Sequence, residues 1–233
     1  MNTVFNPTLI ITGASKGIGQ YLFNEFLKSG NRVIGIYNTT NPKQNSELYY
    51  RVDITLKEEV LDFVTHIQSN LHNIVLINAA GINYNAFAHK ANLEEWTRVI
   101  DTNLLGLFNL TGLILPIMRS AGFGRVINFA SIVAQAGVVG TSAYAASKSA
   151  LWGLSRALAV ENAEKGITVN NINLGYFDIG MMEQIPALSR EAIIQKIPAK
   201  RLGFPVEILG TVRYIIENGY LNGTSIDLNG GLF

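Results

Sequence analysis

Thr8-Leu-Ile-Ile-Thr-Gly-Ala-Ser-Lys-Gly-Ile-Gly19 is the stretch from which the rest of the chain can be read. Residues 8–12 are apolar or β-branched without alternation, which fits a short strand buried on both faces. They lead straight into Gly13, Gly17 and Gly19. Leu22, Phe23, Phe26 and Leu27 then recur at helical spacing until Gly30 stops the pattern. Strand, glycine loop and helix in that order make a phosphate cradle. Glycine lets the backbone turn tightly and come close to a pyrophosphate, whose charge is favoured at a helix N-terminus. A tight turn with no ligand is the bland alternative, because a glycine loop alone is a weak signal.

Working outward, apolar runs alternate with helical patterns. Arg32–Tyr37, Tyr49–Asp53, Asn73–Asn78, Arg125–Ala130, Ile167–Leu174 and Thr224–Leu228 read as further strands. Helices are expected over 55–70, from Leu93 to Met118, from the Tyr144 region to Lys165, and from Pro205 to Asn218. The alternation predicts an α/β fold, a single doubly wound Rossmann domain over 1–233. Its sheet has about seven parallel strands, with helices on both faces and right-handed crossovers. A hydrophobic content of 48% against 15% charged residues supports a substantial core.

Composition narrows the function. A formal net charge of +1 gives no electrostatic reason to expect nucleic acid or an anionic membrane surface. The absence of cysteine excludes disulfides, thiolate metal ligands and a Cys nucleophile. His66, His72 and His89 lack metal-ligand spacing, so no metal is expected. Residues 1–12 carry no basic n-region, and no apolar run approaches ~18 residues. Neither a targeting segment nor a membrane-spanning helix is therefore expected, and the expected location is cytoplasmic.

Chemistry gathers in Tyr144-Ala-Ala-Ser-Lys148, read as part of a helix, where residues four apart share a face. A phenol ionises near pH ~10. An ammonium beside it is expected to pull that value down into a useful range. Ser131 follows the strand run 125–130, which delivers its hydroxyl to a sheet edge. Taken alone, Tyr-x-x-x-Lys describes many ordinary surface pairs. The order strand, Ser131, glycine-containing loop, Tyr144, Lys148, joined to the Gly13-x-x-x-Gly17-x-Gly19 spacing, resembles the short-chain dehydrogenase/reductase family, and does so over essentially the whole chain.

The resemblance implies a catalytic set of Asn103, Ser131, Tyr144 and Lys148. Asn103 lies in Val99-Ile-Asp-Thr-Asn-Leu104, and asparagine is an unfavourable choice inside a helix. It matches the family residue that bends the helix and holds a water linking Lys148 to solvent. By the same resemblance Tyr144 gives a proton to a carbonyl oxygen and Ser131 hydrogen-bonds that oxygen. Lys148 tunes Tyr144 and holds the nicotinamide ribose while hydride passes between nicotinamide and carbonyl carbon.

The family pattern also implies a nicotinamide dinucleotide held by Gly13, Ser15, Lys16, Gly17, Ile18 and Gly19 of the loop. Asn38, Asp53, Ile54, Asn78, Ala79 and Gly81 follow from the next strands, then Gly175, Phe177 and Ile179 beside Tyr144 and Lys148. After the second strand stand Asn38, Thr39 and Thr40, with no carboxylate until Glu47. With Lys16 in the loop, this favours NADPH/NADP, NADH/NAD remaining the alternative. Asp53 matches an acid that bonds the adenine amino group; capping the helix over 55–70 is the equal alternative. Asn78 is expected to stabilise the sheet. Leu174 and Ile179 replace the usual Pro and Thr, which puts cofactor affinity in question. Gly230-Gly-Leu-Phe233 matches the family's usual ending.

Residues 176–203 are apolar, with Tyr176, Phe177, Met181, Met182, Ile185, Leu188, Ile193 and Ile194 broken by Pro186 and Pro198. They read as a lid over an apolar substrate tail, or as simple packing on the main body. Val99–Leu104, Gly124–Asn128 and Gly166–Asn170 are closest in pattern to 3-oxoacyl-carrier-protein reductases. A dehydrogenase of a small alcohol or sugar is the alternative, then a cofactor-binding protein without turnover. Arg119, Arg125 and Lys165 are candidates to meet an acidic carrier, unless they are solvated surface charges. Family members are typically dimers or tetramers built on the helices around 93–118 and 142–165, so the resemblance implies a homotetramer or homodimer, and the apolar Leu151 and Trp152 after the Tyr–Lys pair agree with it.

Overall fold

The computed structural model describes residues 7–232; residues 1–6 and Phe233, the last residue of the expected ending, lie outside that range. In chain order the elements are β1 (Thr8–Thr12), α1 (Gly17–Lys28), β2 (Arg32–Tyr37), β3 (Tyr49–Arg51), α2 (Lys57–Ile67), β4 (Val75–Asn78), α3 (Leu93–Ile100), α4 (Leu107–Ala121), β5 (Gly124–Ser131), α5 (Val133–Ala136), α6 (Ser142–Asn162), β6 (Ile167–Leu174), α7 (Ala187–Lys196), α8 (Pro205–Glu217) and β7 (Ser225–Leu228). The strands form one parallel sheet in the order β3-β2-β1-β4-β5-β6-β7. Strand order reverses between β1 and β4, the place where such sheets open a crevice at their carboxyl ends.

Alternation along each strand divides the core into two layers. Ile10 of β1 packs with Leu110, Ile114 and Met118 of α4 and with Val60 and Val64 of α2. Leu9 and Ile11 face the other way, onto Leu22, Phe23 and Phe26 of α1 and Ile208, Val212 and Ile215 of α8. Both faces of β1 are sealed, so its sequence shows no polar alternation.

Two strands are shorter than the sequence predicts by two residues each, and β7 by one. β3 ends at Arg51 because Asp53 turns the chain, its Oδ1 accepting from the Thr55 amide at 2.9 Å and hydroxyl at 2.7 Å. β4 begins at Val75 because Asn73 sits in the left-handed region at φ 46°. The pattern from Leu93 onward is helical throughout, but Asp101–Gly106 between α3 and α4 is a π-helical turn. The stretch Leu93–Ala121 is long and apolar enough by length and composition to cross a membrane. Here Leu110, Ile114 and Met118 on it are fully buried against the sheet.

A buried polar chain fixes α6 on that sheet. Asn78 Nδ2 donates to Asn128 Oδ1 (2.8 Å), Asn128 Nδ2 to Ser155 Oγ (2.9 Å), and Ser155 Oγ to Asn171 Oδ1 (2.7 Å). It links β4, β5, α6 and β6 in turn. Each bond contributes about 1 kcal/mol net, and losing one member leaves its partner desolvated at a larger cost. Asn78 thus supports the sheet, as expected from its place in the sequence.

Candidate active site

The glycine loop is shaped by what it must approach. Gly13 and Gly17 adopt φ of 64° and 54°, and a Cβ on Gly13 would lie 2.9 Å from Ala80 Cα. A Cβ on Gly19 would lie 2.3 Å from the Gly13 carbonyl oxygen. The loop is therefore drawn tight against the end of β4, where Thr12 Oγ1 accepts from the Ala79 and Ala80 amides at 3.0 Å each. This leaves the α1 N-terminus at the mouth of a side-chain-free cradle, which fits the pyrophosphate of a dinucleotide. Ser15 is buried in the loop, while Lys16 is exposed at the residue preceding α1.

Across the sheet edge, α6 brings Lys148 under β5. Its Nζ donates to the Phe129 carbonyl at 2.6 Å and lies 5.7 Å from the Tyr144 ring centroid. Burial pulls Lys148 down to about 8. At pH 7, one unit lower, roughly nine in ten of these groups still carry their proton. Burial also pushes the Tyr144 phenol up from its ordinary value, and the hydrogen bond with the Ser131 hydroxyl only partly opposes this. The expected lowering of Tyr144 by Lys148 is thus corrected. The ammonium is drawn to a backbone carbonyl, and loss of water around the phenol outweighs any help from it.

Asn103 occupies the π-helical turn and is 1% exposed. Its Oδ1 accepts from the Ile82 amide at 2.8 Å, and its Nδ2 donates to the Ile82 carbonyl at 2.9 Å and to Ser147 Oγ at 3.0 Å. The side chain therefore clasps the segment after β4 and the residue before Lys148. A Cβ on Gly81 would meet Asn103 Oδ1 at 3.3 Å and Lys148 Nζ at 3.5 Å. Glycine is what lets these two polar groups converge.

Ser131, Tyr144 and Lys148 share one cavity of about 250 Å³ with Ile18, Ala79, Gly81, Gly175, Phe177 and Ile179. Its remaining wall includes Asn83, Val133, Thr141, Leu174, Tyr176, Met182 and Ile185. Gly175 is required there, since a Cβ would lie 2.7 Å from Asn229 Cα. Residues 176–203 form a short 3₁₀ helix (Gly180–Gln184), then α7, and return through a Phe177–Gly203 bridge. The packing reading of this segment holds in part, and some of its residues also reach the cavity. Ile197 and Leu202 pack with Met182 in a small core of their own, while Tyr176, Phe177, Ile179, Met182 and Ile185 wall the cavity.

Other expected residues lie apart from the cavity. Asn38 and Asp53 meet beyond β2 and β3, with Asn38 Nδ2 donating to Asp53 Oδ2 at 2.8 Å. Burial pushes the Asp53 carboxyl up, but hydrogen bonds from Thr55 and Asn38 together with the Arg51 charge outweigh it and hold the group below its usual range. Asp53 does not cap α2, whose N-cap position is Leu56. Ile54 is buried in the α2/α4 core, and its carbonyl accepts from Asn109 Nδ2 at 3.1 Å.

Two further expectations are corrected. Arg119, Arg125 and Lys165 sit at the amino-terminal edge of the sheet, opposite the cavity, because they flank the starts of β5 and β6. Arg125 is buried and donates to the carbonyls of Ile216, Gly124 and Gly166 at 3.1, 2.8 and 3.0 Å. Arg119 is bound to the Glu161 carbonyl and Asn162 Oδ1. Leu151 and Trp152 are likewise spent within the chain: Leu151 is 0% exposed, and Trp152 Nε1 donates to Asn173 Oδ1 at 3.0 Å. Sequence reading also missed Thr12, whose place at the end of β1 was its only signal. It missed Arg51 too, which directly follows Tyr50 in a strand that gives no functional motif.

A doubly wound parallel sheet with a glycine cradle and a Tyr–Lys pair at one cavity defines a dinucleotide-dependent oxidoreductase. Residues 7–189 match the family model described as short chain dehydrogenase, and the chain belongs to that family of NAD(P)-dependent enzymes. It is 37% identical over 234 residues to an acetoacetyl-CoA reductase of Shinella zoogloeoides, covering 96% of this chain and 97% of that one. It is 33% identical over 237 residues to the 3-oxoacyl-(acyl-carrier-protein) reductase FabG of Pseudomonas aeruginosa, covering 96% of each. Among solved structures, ligand-free aldohexose dehydrogenase of Thermoplasma acidophilum is similar with a TM-score of 0.89 and 26% identity. That match covers 97% of this chain and 94% of the other.

Proposed function

We propose that this enzyme is an NADPH-dependent reductase of short 3-oxoacyl thioesters. The observation that carries the reading is the convergence of Ser131, Tyr144 and Lys148 on one largely apolar cavity floored by the glycine loop and β4. The similarity to relatives named as acetoacetyl-CoA and 3-oxoacyl-carrier reductases supports the thioester class. When bound, the reduced nicotinamide supplies the hydride that a ketone carbon accepts.

The chain's own groups do the rest. Ser131 hydrogen-bonds the carbonyl oxygen as charge grows on it, and Tyr144 gives that oxygen its proton. A phenol kept protonated by burial suits the reducing direction, because the donor is fully loaded at neutral pH. Lys148 stabilises the phenolate left behind and is positioned to hold the nicotinamide ribose, with Asn103 keeping its surroundings in place. Gly13 to Gly19 would cradle the pyrophosphate, and the backbone at Gly175–Ile179 would take the part of the missing Thr toward the carboxamide. The absence of acids at 38–40 beside Lys16 supports NADPH over NADH.

Exposed Leu105 before α4 and Phe108 on it, which lie side by side, support assembly into a homodimer or homotetramer through this helical face. A cytoplasmic location fits the same reading. The test is NADPH oxidation with acetoacetyl-CoA and with an acetoacetyl carrier thioester, beside a panel of sugars and simple alcohols. Turnover confined to sugars or alcohols overturns the thioester assignment.

A further inference from the structure

Arg51 lies outside every motif used so far, yet the topology places it at the cofactor's adenosine end. β2 is flanked by β1 on one side and β3 on the other, with Thr12 opposite Ile36 and Arg51 opposite Tyr37. The segment leaving β2, Asn38-Thr-Thr40, is exposed and acid-free. The glycine loop with Lys16 follows β1 on one side of that segment; Arg51 ends β3 on the other. The side chain is anchored there, because Arg51 Nε donates to the Asn38 carbonyl at 3.3 Å.

That bond uses one of the five guanidinium donors. Among the described residues Arg51 has no ion pair, and its Nη groups have no protein acceptor. The nearby carboxylates do not pair with it directly: Asp53 feels the Arg51 charge at a distance while accepting from Thr55 and Asn38, and Glu59 accepts from the Asp53 amide at 2.8 Å. A fixed, exposed guanidinium with its paired donors free is suited to bidentate recognition of a phosphate.

Resting on the NADPH reading above, we propose that Arg51 is the residue that recognises the 2′-phosphate, in place of the basic residue that Asn38 replaces. Lys16 closes on the same group from the other side. The adenosine 2′-phosphate then lies over Asn38–Thr40, between cations delivered by two different strands.

Arg51→Gln tests this, because the side chain is on the surface and NADH serves as an internal control for folding. NADPH and NADH affinities are measured by titration at low and high salt for wild type, Arg51→Gln and Arg51→Lys. Arg51→Gln is expected to weaken NADPH by about tenfold or more and NADH by less than about twofold. The salt dependence of NADPH binding should shrink with it. Arg51→Lys should keep part of the preference, since it retains charge without the paired donors. A wild type that prefers NADPH and an Arg51→Gln variant with the same preference would overturn the proposal while leaving the NADPH reading standing. Equal loss of both cofactors in Arg51→Gln would overturn it as well, marking Arg51 as a prop for Asn38. A wild type that prefers NADH would bring down both.

Discussion

Two buried cations sit toward opposite ends of β5, and they serve different purposes. Arg125 is 9% exposed and Lys148 5%, so burial does not distinguish them. The accounting of donors does. Arg125 is consumed by three carbonyls from the start of β5, the residue before β6 and the end of α8. Lys148 has one carbonyl, from Phe129, which leaves two N–H donors turned loose in a cavity. Arginine cannot give up its proton at any ordinary pH, whereas burial holds Lys148 at about 8. One end of the strand is a clamp and the other a candidate reactive site.

The largest expected effect lies at the reactive end. Tyr144→Phe should lower acetoacetyl thioester reduction by about 10²- to 10⁴-fold while NADPH titration stays nearly unchanged. Retention of more than a tenth of the rate would mean that another group donates the proton.

The clamp end should show the reverse. Arg125→Met leaves three carbonyls without their donor and should cost about 3 kcal/mol. For a chain of this size that is a fall in Tm of about 6–12 °C. Rate per folded molecule should be unchanged. Lys148→Met should do the opposite, losing activity with a smaller change in Tm, because it removes a desolvated charge. If both variants lost stability equally, the distinction would collapse.

A smaller effect separates the two through pH. Lys148 is held at about 8 in the folded chain against 10.5 for the ordinary side chain. Below pH ~8 both states hold the proton and the penalty is constant. Between pH ~8 and ~10 the unfolded chain holds a proton that the folded one has lost, so stability rises with pH. Wild type should therefore gain on the order of 2 kcal/mol relative to Lys148→Met across that window in urea titrations. A flat difference would place the Lys148 proton elsewhere.

The smallest expected effect is none. Lys165→Gln, at the edge remote from the cavity, should leave KM for a carrier-bound acetoacetyl thioester within about twofold of wild type. A large rise would restore a carrier-docking role to that edge.

The elements of the fold were legible because apolar periodicity and glycine punctuation are local. β6 begins and ends where the pattern says, and Gly30 stops α1 with a φ of 81°. The four catalytic candidates were legible as a motif in order. Three of them line one cavity, and Asn103 supports it from behind through Ile82 and Ser147. What misled was charge. Arg119, Arg125 and Lys165 look alike in a sequence, and only the crossing of strand ends shows that they lie far from Ser131.

By itself the sequence determined most of the strands and helices, and which groups are candidates for acid–base chemistry. Both depend on neighbours a few positions away. Tertiary structure alone decided the balance of energies at those groups. Tyr144 rises rather than falls because a closed cavity removes its water, and Lys148 turns to Phe129 because β5 presents a carbonyl there. Desolvation and hydrogen-bond partners are properties of three-dimensional neighbours that come from distant parts of the chain. The same reason hid Arg51, which acquires its place only when β3 pairs beside β2.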